Sequence, residues 1–115
     1  MSEIKRLHAG ARYSEGSIHA DTVYLAGQVA VGGGTTIEAQ AREVLASIDA
    51  LLAQAGSSKS RILMAQIYLA DMADYGGLNA VWDQWVGTSP PSRATVEAKL
   101  AKPEWKLEIV VTAAL

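Results

Sequence analysis

The chain has 115 residues, of which 50% are hydrophobic and 19% are charged, and its formal net charge is −2. This length fits one domain, residues 1–115, with a core that needs no disulfide or metal to hold it together. The acidic balance, with no basic cluster longer than Lys5-Arg6, disfavours nucleic acid and anionic membranes as partners. The lack of cysteine excludes disulfides, thiolate metal sites and cysteine nucleophiles.

We also expect a cytoplasmic protein with no membrane segment. The first residues contain no apolar stretch of the kind that a secretory signal carries. No apolar run approaches the length of about 18 residues that is needed to cross a bilayer.

Strands are predicted at the start of the chain. Residues 3–8 fit a short edge strand. Residues 16–20 and 22–29 predict a hairpin, because β-branched and aromatic residues flank a tight turn at Ala20-Asp21.

A long helix is predicted over residues 36–55. Its apolar residues recur at helical spacing and form one stripe: Ile37, Ala41, Val44, Leu45, Ile48, Leu51, Leu52 and Ala55. Thr35 and Glu38 match a capping box at its start. Gly56 follows the stripe, where a helix end favours a residue that takes a positive φ.

A strand and a second helix follow. Residues 61–70 have period two, with Leu63, Ala65, Ile67 and Leu69 on one face and Met64, Gln66 and Tyr68 on the other. The helix, over residues 72–86, has Asp71 or Asp74 as its cap. Its apolar stripe consists of Tyr75, Leu78, Val81, Trp82 and Trp85.

Strands over residues 93–98 and 105–113 close the chain. In the first, Arg93, Thr95 and Glu97 share a face. The order of elements predicts an α+β fold, with a mixed sheet covered on one face by two helices.

The other face of this sheet is expected to be a mixture of polar and apolar side chains. It would carry Arg93, Thr95 and Glu108 together with apolar residues such as Met64 and Val110. Such a face is too apolar for solvent and too polar for a dry core. We therefore expect a second copy of the chain to cover it, leaving polar clefts between the copies.

Four stretches in chain order resemble the RidA/YjgF (Rid) family: LAGQV at 25–29, IYLADMADYGGLNAVWDQWV at 67–86, PPSRATVEA at 90–98 and KLEIVVTAA at 106–114. The helix near Trp82 and the ARYSEG segment are most similar to YoaB-like members. The resemblance implies a chorismate-mutase-like fold, a homotrimer with ligand clefts between subunits, and no cofactor. It also implies hydrolysis of reactive enamines and imines, such as 2-aminoacrylate, to 2-oxo acids and ammonia.

The resemblance further implies which residues form the site. Arg93 would grip the substrate carboxylate, and Glu108 would handle the attacking water. The other positions that it places at the pocket are Tyr13, Ala26, Gly27, Asn79 and Thr95.

The chain departs from the family pattern at several of these positions. Ala26 replaces a serine that contributes to the pocket of active members, and Thr95 stands where many members have cysteine. Arg12 precedes Tyr13 in place of a Gly-Pro pair. These departures bear on rate and substrate more than on the fold.

Taken alone, the residues leave simpler interpretations open. Arg93 would equally suit a structural salt bridge to Glu97, Glu108 or a neighbouring subunit. On the residues alone, Glu108 is better explained as a strand-face carboxylate paired with Arg93 or Lys99.

The remaining candidates are weaker. Tyr13 suits a ligand contact and a hairpin-edge aromatic equally well, and Asn79 is more typical of a backbone contact. Trp82 fits core or interface packing. His8 and His19 are isolated, so no metal site is expected.

The expected function is therefore that of a cofactor-free hydrolase similar to 2-iminobutanoate/2-iminopropanoate deaminases. Imine hydrolysis requires only positioning and one proton relay, because the C=N carbon is already electrophilic. The alternative is a non-catalytic module on the same trimeric scaffold that binds small 2-oxo acids or another protein.

Overall fold

Among residues 3–115, which the computed structural model describes, the chain forms six strands and two α-helices. The strands are β1 (Ile4–Ala9), β2 (Ser14–His19), β3 (Thr22–Leu25), β4 (Ile62–Leu69), β5 (Ser92–Glu97) and β6 (Leu107–Ala114). The helices are α1 (Ile37–Ala55) and α2 (Tyr75–Trp85). Short 3₁₀ turns at Lys59–Arg61 and Met72–Asp74 precede β4 and α2.

The strands make one mixed sheet in the order β1-β2-β3-β6-β4-β5. Neighbouring strands are antiparallel except β4 and β5, which run parallel and are therefore joined by a crossover, supplied by α2. The last strand of the chain, β6, lies between β3 and β4. The strand predicted near residue 4 is confirmed as an edge strand, and β5 forms the opposite edge.

The core lies between the two helices and one face of the sheet. Alternate residues of the strands are buried there: Val23, Leu25, Ala65, Ile67, Leu69, Leu107, Ile109, Val111 and Ala113. The predicted stripe of α1 is confirmed, and seven of its members are buried: Ile37, Ala41, Val44, Leu45, Ile48, Leu51 and Leu52. Because burying a large aliphatic side chain contributes roughly 1.5–3 kcal/mol, this layer fixes where the helices sit. No helix within residues 3–115 is long and apolar enough to span a membrane.

The ends of α1 partly follow the prediction. The helix is capped by Thr36 and not by Thr35, since the Thr36 hydroxyl accepts a hydrogen bond from the Ala39 amide at 3.1 Å. Gly56 is confirmed as the residue that ends the helix, with φ at 85°. Its amide donates to the Ala53 carbonyl.

Two strand predictions were wrong in detail. The strand predicted to reach residue 29 ends at Leu25, and Gln28 forms only an isolated bridge with Ile109. In β4, Leu63 is 53% exposed, whereas the preceding residue, Ile62, is buried. A register shift between β4 and β6 at this point explains why Ile62 is buried in place of Leu63, because it turns Leu63 away from the core.

A larger correction concerns β5. The face that carries Arg93 and Thr95 is turned towards the helices and not away from them. The parallel pairing with β4 sets Arg93 beside Ala65 and Thr95 beside Ile67, both of which are buried. Val96, on the opposite side of β5, is 44% exposed. The prediction that Arg93 and Thr95 share one face with Glu108 is therefore wrong.

The face of the sheet opposite the helices, called the open face below, combines polar and apolar groups. It carries Tyr24, Met64, Gln66, Tyr68, Ala94, Val96, Glu108, Val110 and Thr112. Tyr24, Met64 and Val96 are between 36% and 51% exposed. A continuous patch of this kind is typical of a surface that another molecule covers.

Gln40 joins α1 to two loops. Its side chain is 2% exposed, and its amide nitrogen donates to the carbonyls of Gly34 and Glu104, each at 2.9 Å. Its amide oxygen accepts from the Lys106 backbone at 2.8 Å. The segment that leads into α1 and the segment that leads into β6 are thus held by one buried side chain.

We expect Gln40→Leu to lower the free energy of unfolding by about 2–4 kcal/mol, because two backbone carbonyls and one backbone amide lose the partner that the buried Gln40 side chain supplies. Urea denaturation of this variant would measure the loss. Gln84→Leu, at an exposed position of α2, serves as the control. A Gln40→Leu protein as stable as this control would contradict the prediction.

Candidate functional site

Arg93 lies half-buried near the start of β5, beneath α2. Its Nη1 donates to Asn79 Oδ1 at 2.9 Å, and its Nη2 donates to the Tyr75 hydroxyl at 3.2 Å. The guanidinium carbon lies 5.2 Å from the centre of a Trp82 ring and 5.7 Å from that of Tyr75. All four contacts are with neutral groups, so the positive charge is held in place without being neutralised.

Among the described residues of one chain, Arg93 forms no salt bridge with Glu97 or Glu108. The Glu97 carboxylate instead accepts a hydrogen bond from the Met72 amide at 2.9 Å. Arg93 therefore keeps N–H donors available for an anion, and a planar guanidinium is well suited to a carboxylate.

The residues around Arg93 come from one face of α2. Tyr75 and Asn79 are four residues apart and Trp82 follows three later, so successive turns of the helix present them together. The predicted apolar stripe is confirmed for Leu78 and Trp82, but Tyr75 is 42% exposed and does not belong to the core. Asn79 holds the guanidinium and not the backbone. The spacing of Tyr75 and Asn79 was the signal in the sequence that could have indicated this.

The start of α2 is fixed to both β5 and α1. The hydrogen bond from Met72 to Glu97 ties the 3₁₀ turn before α2 to the end of β5. At Gly77, an added Cβ would lie 2.5 Å from Ile37 Cγ2, so the missing side chain allows the two helices to approach closely. These contacts set the position of Tyr75 over Arg93.

Thr95 follows Arg93 by two residues on the same strand face. Its hydroxyl oxygen is buried and has no hydrogen-bond partner among residues 3–115. An unpaired buried hydroxyl costs about 1–3 kcal/mol.

Thr95→Val should leave the protein equally stable or raise its free energy of unfolding by about 1 kcal/mol, because the unpaired hydroxyl is removed. If the hydroxyl also contacts a ligand, the affinity for a 2-oxo acid should fall about 5- to 10-fold. Thermal denaturation and calorimetry measure the two effects. Thr88→Val, in an exposed turn, is the control, and unchanged affinity would exclude Thr95 from the site.

Glu108 lies on the open face, on β6 and beside Tyr68 of β4. Its carboxylate rests over the backbone of Gly27, where an added Cβ would come within 1.9 Å of Glu108 Oε2. The lack of a side chain at Gly27 therefore creates the space that the carboxylate fills. This brings together two of the residues that the family resemblance assigned to the site.

The segment that carries Gly27 is held by Gln28. The backbone of Gln28 exchanges two hydrogen bonds with Ile109, at 2.9 and 3.1 Å. Its side chain, 8% exposed, donates to the Ala26 carbonyl at 3.0 Å and to the Glu15 carboxylate at 3.2 Å. Glu15 thus adds a second carboxylate to this part of the molecule, which the sequence gave no reason to single out.

Tyr13 lies in the turn between β1 and β2 and is 63% exposed. It lines a shallow cavity of about 400 Å³ with neighbours that include Arg12 and Glu15. Most of the Tyr13 side chain is exposed, so it is accessible to a ligand or to a second copy of the chain. His8 and His19 are both exposed, and residues 3–115 contain no cluster of three side chains able to hold a metal ion.

The two halves of the predicted site are separated within one subunit. Arg93 is level with Ala65, whereas Glu108 is level with Tyr68 on the other side of β4. Two strand spacings and three residues along the strand place their Cα atoms roughly 14 Å apart. The side chains also leave opposite faces of the sheet. The cation and the carboxylate are therefore not brought together within a single chain.

Comparisons with known proteins agree with this fold along the whole described chain. A model of the family described as endoribonuclease L-PSP matches residues 3–115. A RutC family protein of Haemophilus influenzae is 58% identical over 115 residues, covering 96% of this chain and 97% of the relative. The RutC family protein YoaB of Escherichia coli K12 is 42% identical over 113 residues, covering 97% and 98% of the two chains.

The solved structures lead to the same family. The crystal structure of a YjgF family member from Neisseria meningitidis matches with a TM-score of 0.95 and 45% identity, covering 97% of this chain and 94% of that chain. The predicted fold class, a mixed sheet with two helices on one face, is thereby confirmed. The chain therefore belongs to the RutC/YjgF family, which is the RidA/YjgF family that its motifs resemble.

Proposed function

We propose that the protein hydrolyses small 2-imino acids and their enamine tautomers to 2-oxo acids and ammonia. The observation that carries this proposal is the guanidinium of Arg93, which is half-buried, oriented by neutral partners and not neutralised. Such a group favours a small organic anion with a carboxylate. The resemblance to imine-hydrolysing Rid proteins supplies the reaction.

We further propose that the working site lies between subunits of a homotrimer. Arg93 and Glu108 leave opposite faces of one sheet, so a cleft that contains both requires two copies of the chain. The apolar part of the open face, which includes Tyr24, Met64 and Val96, would be buried in such an assembly. This arrangement would also remove water from around Arg93 and strengthen its pairing with a carboxylate.

In the proposed mechanism the substrate carboxylate pairs with Arg93, which sets the C=N carbon in the cleft. A water molecule held by Glu108 of the adjacent subunit attacks that carbon, and the carboxylate takes one of its protons. The proton passes to the nitrogen of the carbinolamine. Glu108 then takes the proton of the carbinolamine hydroxyl and returns it to the same nitrogen. The C–N bond breaks, ammonia leaves and the oxygen becomes the 2-oxo group, so that one water is consumed for each ammonia released.

Mixing two inactive variants tests the reaction and the assembly together. Arg93→Ala and Glu108→Gln should each be inactive alone on imine generated by an amino-acid lyase. After joint unfolding and refolding at equal amounts, every mixed trimer would contain one cleft with both groups intact. We therefore expect recovery of about a quarter of the wild-type rate of 2-oxo acid release.

The control for this experiment mixes Arg93→Ala with a chain that carries both substitutions, which should stay inactive. Mixed samples that never exceed the separate variants would contradict a site shared between subunits. A wild-type protein that does not accelerate 2-oxo acid release would contradict the hydrolytic function itself.

A second candidate function is binding of 2-oxo acids without turnover. The chemistry of Ala26 favours this function. Its methyl side chain supplies no hydroxyl, and its carbonyl already accepts a hydrogen bond from the Gln28 side chain. In that case calorimetry would detect 2-oxobutanoate binding to the wild type but not to Arg93→Ala, with no imine hydrolysis.

The name of the matching family refers to an endoribonuclease, but a net charge of −2 does not favour strong binding to RNA.

A further inference from the structure

Tyr75 makes two contacts with Arg93 that the mechanism above does not use. Its hydroxyl accepts a hydrogen bond from Nη2 at 3.2 Å, and its ring lies 5.7 Å from the guanidinium carbon. The residue is 42% exposed and stands at the first position of α2. Core packing therefore does not account for its placement.

We propose that Tyr75 is a positioning residue that, together with Asn79, sets the plane and rotation of the Arg93 guanidinium before a carboxylate binds. This inference rests on the proposed function. A long arginine side chain has several rotatable bonds, and ordering it during binding weakens the affinity. Hydrogen bonds to both terminal nitrogens, at Asn79 and Tyr75, fix the guanidinium in advance.

The position of Tyr75 is itself determined by close packing. The absence of a side chain at Gly77 lets the start of α2 approach Ile37 of α1, and Glu97 holds the preceding turn through the Met72 amide. The phenol is thus carried by an anchored part of the helix and not by a loop. A hydrogen-bond acceptor in a fixed position can restrain a flexible cation, whereas a mobile acceptor would restrain it little.

The test separates the hydroxyl from the ring. Tyr75→Phe keeps the ring over Arg93 but removes the hydrogen bond, so the dissociation constant for 2-oxobutanoate should rise about 3- to 10-fold. In turnover assays KM should rise by a similar factor while kcat changes less than 2-fold, since the hydroxyl does not contact the reacting carbon. Thermal stability should not change.

A double-mutant cycle distinguishes positioning from a general structural effect. In an Arg93→Lys background, Tyr75→Phe should change the affinity for 2-oxobutanoate less than 2-fold. The reason is that an ammonium group, unlike a guanidinium, has no plane that must be oriented. The control is Ser60→Ala, in the exposed 3₁₀ turn before β4, which removes a hydroxyl and its hydrogen bond to Ser58 and should leave the affinity unchanged.

Each result has a separate meaning. If 2-oxobutanoate binds to the wild type, is lost in Arg93→Ala and binds normally to Tyr75→Phe, the role of Tyr75 is refuted while the proposed function stands. Equal effects of Tyr75→Phe in the arginine and lysine backgrounds would also refute it. If the wild type binds no 2-oxo acid, the proposed function fails, and the role of Tyr75 fails with it.

Discussion

Replacing Arg93 with alanine should weaken the binding of 2-oxo acids about 100-fold or more. The substitution would remove the two charge-assisted hydrogen bonds to the carboxylate that the proposed site provides, each of which would contribute about 1.5–3 kcal/mol. Arg93→Lys should recover only part of this affinity, because it restores the charge without the planar fork. Isothermal titration calorimetry with pyruvate or 2-oxobutanoate would measure both variants.

The matched control is Arg42→Ala, which removes an exposed guanidinium from α1. It should bind 2-oxo acids as the wild type does, which separates the local effect of Arg93 from a change in overall charge. If Arg93→Ala binds these acids as tightly as Arg42→Ala, the guanidinium does not hold the carboxylate and the proposed site is wrong.

Glu108→Gln should lower the rate of imine hydrolysis about 10²- to 10⁴-fold, the range typical of a lost general base. Glutamine has nearly the same shape, so the contact with Gly27 and the affinity for 2-oxo acids should be retained. The measurement is the rate of 2-oxo acid release from imine produced by a lyase, together with calorimetry on the same sample.

A matched control for Glu108 is Glu104→Gln, an exposed glutamate in the loop that precedes β6. It should hydrolyse imine at the wild-type rate. Retention of wild-type turnover by Glu108→Gln would show that this carboxylate does not handle the water, even if Arg93 binds the substrate.

Much of the fold could be predicted because its signals are local. The stripe from Ile37 to Leu52 has the helical period over more than four turns, and Gly56 stands where a positive φ is needed. Alternation in β5 likewise predicts that Arg93 and Thr95 share a face.

The alternation of residues along β5 does not indicate which of its two faces lies against the helices. That choice depends on the pairing partner, and the parallel register with Ala65 and Ile67 settles it. Leu63 was misplaced for a related reason, because the irregularity between β4 and β6 is a property of two strands and not of one.

The candidate site was predictable only in part. The resemblance to the family singles out Arg93 and Glu108, and the structure places Arg93 against Asn79 and Tyr75, and Glu108 against Gly27. The helical period predicts that Tyr75 belongs to the apolar stripe, because its ring fits that spacing. A hydrophobicity pattern does not indicate the hydrogen bond that its hydroxyl forms with Arg93. The separation of Arg93 from Glu108 depends on strand order, which spacing along the chain does not reveal.

The opposite orientation of Arg93 and Glu108 has a consequence for how activity responds to protein concentration. If each cleft takes Arg93 from one chain and Glu108 from another, a newly synthesised polypeptide contains both reacting groups. It would nevertheless be inactive until it assembles with other copies of the chain. Specific activity would then decline on dilution, and it would return with a concentration-dependent lag when subunits are brought together again.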